Sequence, residues 1–155
     1  GSANLNTGFG DLSAGSGHKG FRIVDAITWQ RGAFGGQAMA LWQTDRLEGG
    51  DKVNSLSLGG RASYALTQHF KMVAELGHSQ RKPDGGAAQK LTKFTLAPTL
   101  STGPGFWTRP ELRLYVTTAK WNDAANAAAG AGGVTGIGDG KTSGTSFGAQ
   151  VEVWW

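Results

Sequence analysis

The 155 residues contain no cysteine, which excludes disulfide scaffolds, thiol nucleophiles and cysteine-ligated metal sites. Charged side chains make up only 17 per cent of the chain, against about 25 per cent in an average globular protein. Proline is scarce, at 4 residues. No stretch approaches the ~18 uninterrupted apolar residues of a spanning helix, and no secretory signal is present, as expected of a mature, trimmed or recombinant chain. Lysine and arginine are scattered singly and never form a run, so the formal charge of +4 gives no nucleic-acid footprint. His18, His69 and His78 lack ligand spacing, so neither a metal nor a cofactor is expected.

What the chain has is glycine, 26 residues of it, and alternation. Its last ten residues, SFGAQVEVWW, put Phe147, Ala149, Val151, Val153 and Trp155 on one row and Ser146, Gly148, Gln150, Glu152 and Trp154 on the other. A period of two is a strand between two different surroundings. The same template predicts seven strands, at 21–30, 37–46, 53–66, 69–79, 90–100, 107–121 and 146–155, with no competing segment of helical period. In the third, Leu56, Leu58, Ala62, Tyr64 and Leu66 oppose Ser55, Ser57, Arg61 and Ser63. The first two are ambiguous, because Asp25 interrupts an apolar row and Trp42 faces away from Met39 and Leu41.

Connections alternate. Those around 31–36, 67–68 and 101–106 are short, whereas 46–52, 80–89 and 122–145 are longer and more polar or glycine-rich. Long strands, short turns at one end and long loops at the other indicate an all-β, antiparallel transmembrane barrel. In hydrocarbon every backbone polar group must be paired, and without an apolar helix a closed barrel is the form that satisfies this. A soluble β-sandwich with one buried face is the rival.

Two short motifs imitate enzymes. Gly144-Thr145-Ser146-Phe147-Gly148 spells a hydrolase elbow, but that chemistry needs a helix after the serine and here a strand follows. GIGDGKT at 136–142 imitates a phosphate loop, yet Thr135 stands where glycine is required, so a flexible surface loop is expected. No catalysis is expected.

The sixth strand differs from the rest. Trp107, Arg109, Glu111, Arg113, Tyr115, Thr117 and Trp121 share a face opposite Pro110, Leu112, Leu114, Val116 and Thr118. Aromatics of an interfacial girdle point outward, toward lipid, but Trp107 and Trp154 fall on the polar row. A pyranose has hydroxyls at its rim and C–H groups on its faces, so flat aromatic plates beside charged hydrogen-bonding groups suit it. Trp107, Trp154 and Tyr115 are the candidate sugar contacts. Arg109 and Glu111 are candidate hydrogen-bond partners of its hydroxyls, with a structural ion pair as the alternative role.

GFWTRPELRLYVTTAKWND at 105–123 and SFGAQVEVWW at 146–155 resemble the C-terminal part of maltoporins, the sugar-specific outer-membrane porins that include the sucrose porins. FRIVDAI at 21–27 and KFTLAPTL at 93–100 are similar in the same order, and residues 1–20 and 122–145 are the weak parts. The resemblance implies an eighteen-stranded homotrimeric barrel in the bacterial outer membrane, in contact with its lipid, in which malto-oligosaccharides or related sugars slide along aromatic residues. Trp107, before Arg-Pro, and Trp154, before the last residue, match that path. It also implies that this chain supplies about seven or eight strands of a larger barrel, with residues 1–20 an extracellular-side loop segment and 21–155 the C-terminal strands. Residues 3–12 as the eighth strand of a small barrel are a further alternative. The terminal aromatic strand would be read by the outer-membrane assembly machinery, with Trp155 toward lipid and Trp154 toward sugar. The expected function is passive, sugar-selective diffusion; the alternative is a non-conducting barrel fragment acting as a membrane anchor or sugar-binding wall.

Overall fold

The computed structural model describes residues 17–153. Seven strands form one open sheet in sequence order, every neighbour antiparallel: β1 (Lys19–Arg31), β2 (Phe34–Arg46), β3 (Lys52–Ala65), β4 (Phe70–Pro83), β5 (Gln89–Ser101), β6 (Glu111–Trp121) and β7 (Ser143–Glu152). The two ambiguous strands are resolved by register. Phe21 pairs with Thr44 and Trp29 with Gly36, so Phe21, Ile23, Asp25, Ile27 and Trp29 share a face with Trp42, while Met39 and Leu41 lie on the other. No helix among the described residues is long and apolar enough to cross a membrane.

The two faces have opposite character. One is an apolar band, with Leu58, Tyr64, Leu76, Phe94, Leu112, Leu114, Val116 and Phe147 all exposed. The other is shielded and polar, and its buried centre holds Ser63, Lys71, Thr99, Glu111 and Arg113 beside Val73, Ala97 and Phe106. A soluble sandwich would bury the apolar row and wet the polar one. This sheet does the reverse, as a barrel wall in lipid must.

Four expectations need correction. The sixth strand starts at Glu111, not at Trp107. Residues 102–110 form a connection instead, because Pro104 and Pro110 have no N–H for a ladder and because hydrogen bonds hold the segment against the shielded face: the Lys71 ammonium donates to Gly105 O at 2.6 Å and the Phe106 amide to Gln30 Oε1 at 2.8 Å. The alternation of short and long connections is consequently imperfect, since 102–110 is longer than 47–51 or 84–88. The long loop also contains a one-turn helix, α1 (Asp123–Ala128), whose cap is Asn122, its side chain accepting from the Ala125 amide at 3.1 Å. Of the segment expected as a loop before residue 21, Lys19 and Gly20 already belong to β1. Residues 1–16, with the possible eighth strand at 3–12, lie outside the described residues, as do Trp154 and Trp155.

The bond from Phe106 to the side chain of Gln30 brings the connection 102–110 inward, from the start of β6 back across one end of the shielded face toward β1. Phe106 settles on Gly35 of β2, where an added Cβ would lie 2.7 Å from the Phe106 Cβ.

At the other end the long loop carries its own framework. Asn122 donates from its amide nitrogen to Ala88 O at 2.6 Å and accepts from the Lys90 amide at 3.0 Å, tying the loop to the β4–β5 connection. The Trp121 indole donates to Asn126 Oδ1 at 3.1 Å and to Lys141 O at 2.9 Å. The segment expected to be a flexible imitation of a phosphate loop is thus pinned to an aromatic of β6, and a turn in which Asp139 Oδ1 accepts from the Thr135 hydroxyl and the Lys141 amide completes it.

Candidate functional site

Period two sets which side chains of β3–β7 reach the shielded face; register sets which of them meet. Arg61 stands opposite Glu75 and Thr95 opposite Thr117, and Tyr115 stands opposite Gly148. All of these but Gly148, together with Val73, Lys93, Ala97, Arg113, Ser146 and Gln150, line a trough of about 440 Å³. It lies midway along the wall, between the folded-in connection and the long loop.

Each wall of the trough has a distinct construction. The Arg61 guanidinium meets Glu75 with both Nε and Nη2 2.8 Å from Oε2. Thr95 and Thr117 join hydroxyls at 2.7 Å across the β5–β6 ladder. That ladder runs from Leu91 opposite Trp121 to Leu96 opposite Val116 and resumes at Thr99 opposite Arg113, skipping Ala97 and Pro98, of which Pro98 has no N–H to give. Tyr115 lies flat over Gly148: a Cβ there would come within 2.7 Å of the phenolic oxygen and 2.9 Å of the ring carbon bearing it. The glycine gives the ring its seat, and the ring's outer surface faces the trough.

Beneath the folded-in connection, one edge of the trough becomes a buried ionic network. Glu111 is only 1 per cent exposed at its side chain and pairs with Lys71, with Arg109 at 3.1 Å and with Arg113 at 2.5 Å. Arg109 and Arg113 both reach on to Glu152 of β7, Arg109 at 3.2 Å. Arg109 also donates to the carbonyls of Phe106 at 3.0 Å and Thr108 at 2.9 Å. Buried charges are tolerable only when paired and hydrogen-bonded, and here three cations share two carboxylates in a common cluster. Its structural effect is to hold the connection 102–110 down on the sheet and to present Arg113 at the trough wall.

Of the residues expected to contact sugar, Tyr115 lines the trough. Arg109 and Glu111 are in the buried network, where the structural ion pair weighed for them is present. Trp107 sits in the connection, half exposed, edge-on to Phe106 at a centroid distance of 4.9 Å, and Trp154 lies outside the described residues. Sequence reading missed Arg61, Glu75, Lys93, Ser146 and Gln150 as members of one site. Each occupies a polar row, but only register brings them together. Among the described residues no group of three or more metal-ligating side chains gathers.

Comparison with known proteins agrees with this architecture. A protein named Maltoporin 2 from Yersinia pestis (strain Pestoides F) is 33% identical over 145 residues, covering 88% of this chain and 32% of that protein. Maltoporin 2 of Yersinia pseudotuberculosis serotype O:1b gives the same figures. The maltoporin of Hahella chejuensis is 30% identical over 143 residues, covering 90% of this chain and 33% of that protein. The chain spans about a third of the length of the curated relatives it matches. Its apolar outer face, polar inner face and meander of long antiparallel strands are those of a piece of a porin wall, and the match to the LamB porin family extends over residues 1–155: the chain belongs to that family.

Proposed function

We propose that these strands form the C-terminal wall of a sugar-selective outer-membrane channel, an eighteen-stranded homotrimeric barrel through which malto-oligosaccharides or related sugars diffuse passively. The observation that carries this reading is the polar trough, set on the shielded face of a sheet whose opposite face is apolar. Its hydroxyls, amide and ion pair match the rim of a pyranose, and the Tyr115 ring offers its face to the sugar's C–H groups. Trp107 and Trp154 would supply stacking plates at the end of the channel that carries the connection 102–110. Arg109 and Glu111 act through Arg113, which their network holds in place. The outer band, from Phe94 to Phe147, contacts outer-membrane lipid, and the terminal strand is the segment the assembly machinery engages.

An open sheet cannot conduct alone. Among the described residues β1 and β7 are its edges, and in lipid an unpaired strand edge costs several kcal/mol per unsatisfied group. The test therefore uses the complete barrel, in planar bilayers. Discrete conductance steps blocked by maltohexaose are expected; steps that no oligosaccharide interrupts would overturn the sugar reading, and silence would favour a wall that anchors or binds without conducting.

A further inference from the structure

The charges along the trough are unequal, and their partners show which remain available. Three cations, Arg61, Lys93 and Arg113, line it against one carboxylate, Glu75. Glu75 is engaged by Arg61. The two nearby glutamates, Glu111 and Glu152, are both engaged by Arg113 and Arg109 in the buried network. The backbone of Lys93 sits in the ladders with β4 and β6, but its side-chain ammonium has no hydrogen bond or ion pair with any described residue. The trough thus offers one unpartnered ammonium and no unpartnered carboxylate, beside a network that itself carries three cations to two carboxylates.

The neutral polar groups stand where a sugar rim would meet them. Ser146 and Gln150 are two positions of the inner row of β7, on either side of Gly148 and the Tyr115 ring that covers it. A neutral oligosaccharide would use these groups and Tyr115 and leave Lys93 unanswered. A saccharide carrying an anionic group would use all of them. At about 4 Å a single added ion pair is worth ~1 kcal/mol in water-like surroundings, roughly a fivefold gain in affinity, and more where the wall excludes solvent.

From these observations we infer that the trough selects anionic saccharides, with Lys93 as the residue that pairs with the carboxylate or phosphate of the sugar. The inference rests on the sugar-channel reading and specifies the substrate class of the same site. It makes Lys93 a specificity residue, and it makes the preference electrostatic, so the preference must shrink as salt rises.

The experiment is current block on the complete barrel in planar bilayers, at 0.1 M and at 1 M KCl as chosen concentrations on the order of those where screening lengths are ~10 and ~3 Å. The probes are maltotriose, trigalacturonate, glucose 6-phosphate against glucose, and acetate and inorganic phosphate alone. The expected result is that trigalacturonate blocks at about a fivefold lower concentration than maltotriose at the lower salt. The gap narrows at the higher salt, disappears in Lys93→Gln and returns in Lys93→Arg. A similar gap between glucose 6-phosphate and glucose assigns the preference to charge on the sugar irrespective of its source; a gap for trigalacturonate alone assigns it to carboxylates. Equal block by the charged and neutral sugars, a preference for maltotriose, or an undiminished gap in Lys93→Gln would overturn the inference while leaving the sugar channel standing. Block by acetate or phosphate alone at the same concentrations would overturn it too, as a plain anion site. Failure of every saccharide to block would overturn the channel reading itself.

Discussion

At the scale of single residues, the wall depends on two kinds of fit. The first is an aromatic ring laid over a glycine. Gly148→Ala puts a methyl group 2.7 Å from the Tyr115 oxygen, so the ring must leave its seat. Overpacking of this kind typically costs about 1–3 kcal/mol, and here it also tilts a trough residue. The expected outcome is lower unfolding stability of the barrel in detergent together with weaker sugar block; unchanged block would separate Tyr115 from the sugar. The second fit is charge. Glu111→Ala leaves Lys71, Arg109 and Arg113 buried around a single remaining carboxylate, Glu152. Breaking a buried ion pair from one side costs about 3–5 kcal/mol, while replacing both partners by apolar side chains of similar size is often near neutral. Denaturant unfolding should therefore show Glu111→Ala far less stable than the double variant Lys71→Met, Glu111→Leu. If the single variant proves as stable as the parent, the network does not hold the connection 102–110.

At the scale of the element, β6 shows why two rows three residues apart tolerate charge so differently. Leu114 is 60 per cent exposed on the apolar face, between Leu112 and Val116. Leu114→Arg should cost about 2–4 kcal/mol in lipid vesicles if it sits near mid-membrane. Thr117 faces the trough and gives up one hydroxyl contact with Thr95 when replaced, so Thr117→Arg should cost only about 1 kcal/mol. Urea unfolding of the two variants measures the difference, and equal losses would refute the assignment of faces. The faces were legible in the sequence for β3 to β7 because period two records solvent directly, and Phe94, Leu96, Leu112 and Leu114 alternate with Lys93, Thr95, Glu111 and Arg113. In β1 and β2 Asp25 and Trp42 blurred the record, and pairing with β3 settled it. Trp107 was misplaced on β6 because parity continues through Thr108, Arg109 and Pro110 even though the ladder does not: alternation says nothing about whether an N–H has a partner. The trough itself was illegible for a related reason. Arg61, Lys93 and Gln150 are far apart in the chain, and the offset of each ladder, which decides that they converge, leaves no mark on the composition of any one strand.

At the scale of the whole molecule, the sheet has two ends of unlike construction, and the proposed direction in the membrane rests on this difference. At one end are the two-residue turn 32–33, the turn 66–69 and the connection 102–110, which is folded inward and bonded to Gln30, Lys71 and the ionic network. At the other are 47–51, 84–88 and the long loop 122–142, which rises from the wall on α1 and a series of glycines with positive φ at 130, 133, 136, 138 and 140. Outer-membrane barrels place short turns in the periplasm and long loops outside the cell. The long loop stays accessible even though Trp121 and Asn122 pin its base, since Ile137 at its tip is 76 per cent exposed. A protease needs a segment it can draw into an extended strand, and exposed loop tips with small residues are where that succeeds. Added to intact cells that carry the complete barrel, a protease should therefore cut within 129–141. It should spare 102–110 for two independent reasons: in the proposed orientation that connection lies on the periplasmic side, and Phe106 and Arg109 hold it against the wall. Permeabilising the outer membrane separates the two. Cleavage at 102–110 that appears only after permeabilisation places the connection inside but leaves it loosely held, whereas continued protection in the parent and cleavage in Glu111→Ala ties that protection to the network. Cutting at 102–110 on intact cells, with 129–141 untouched, would invert the topology.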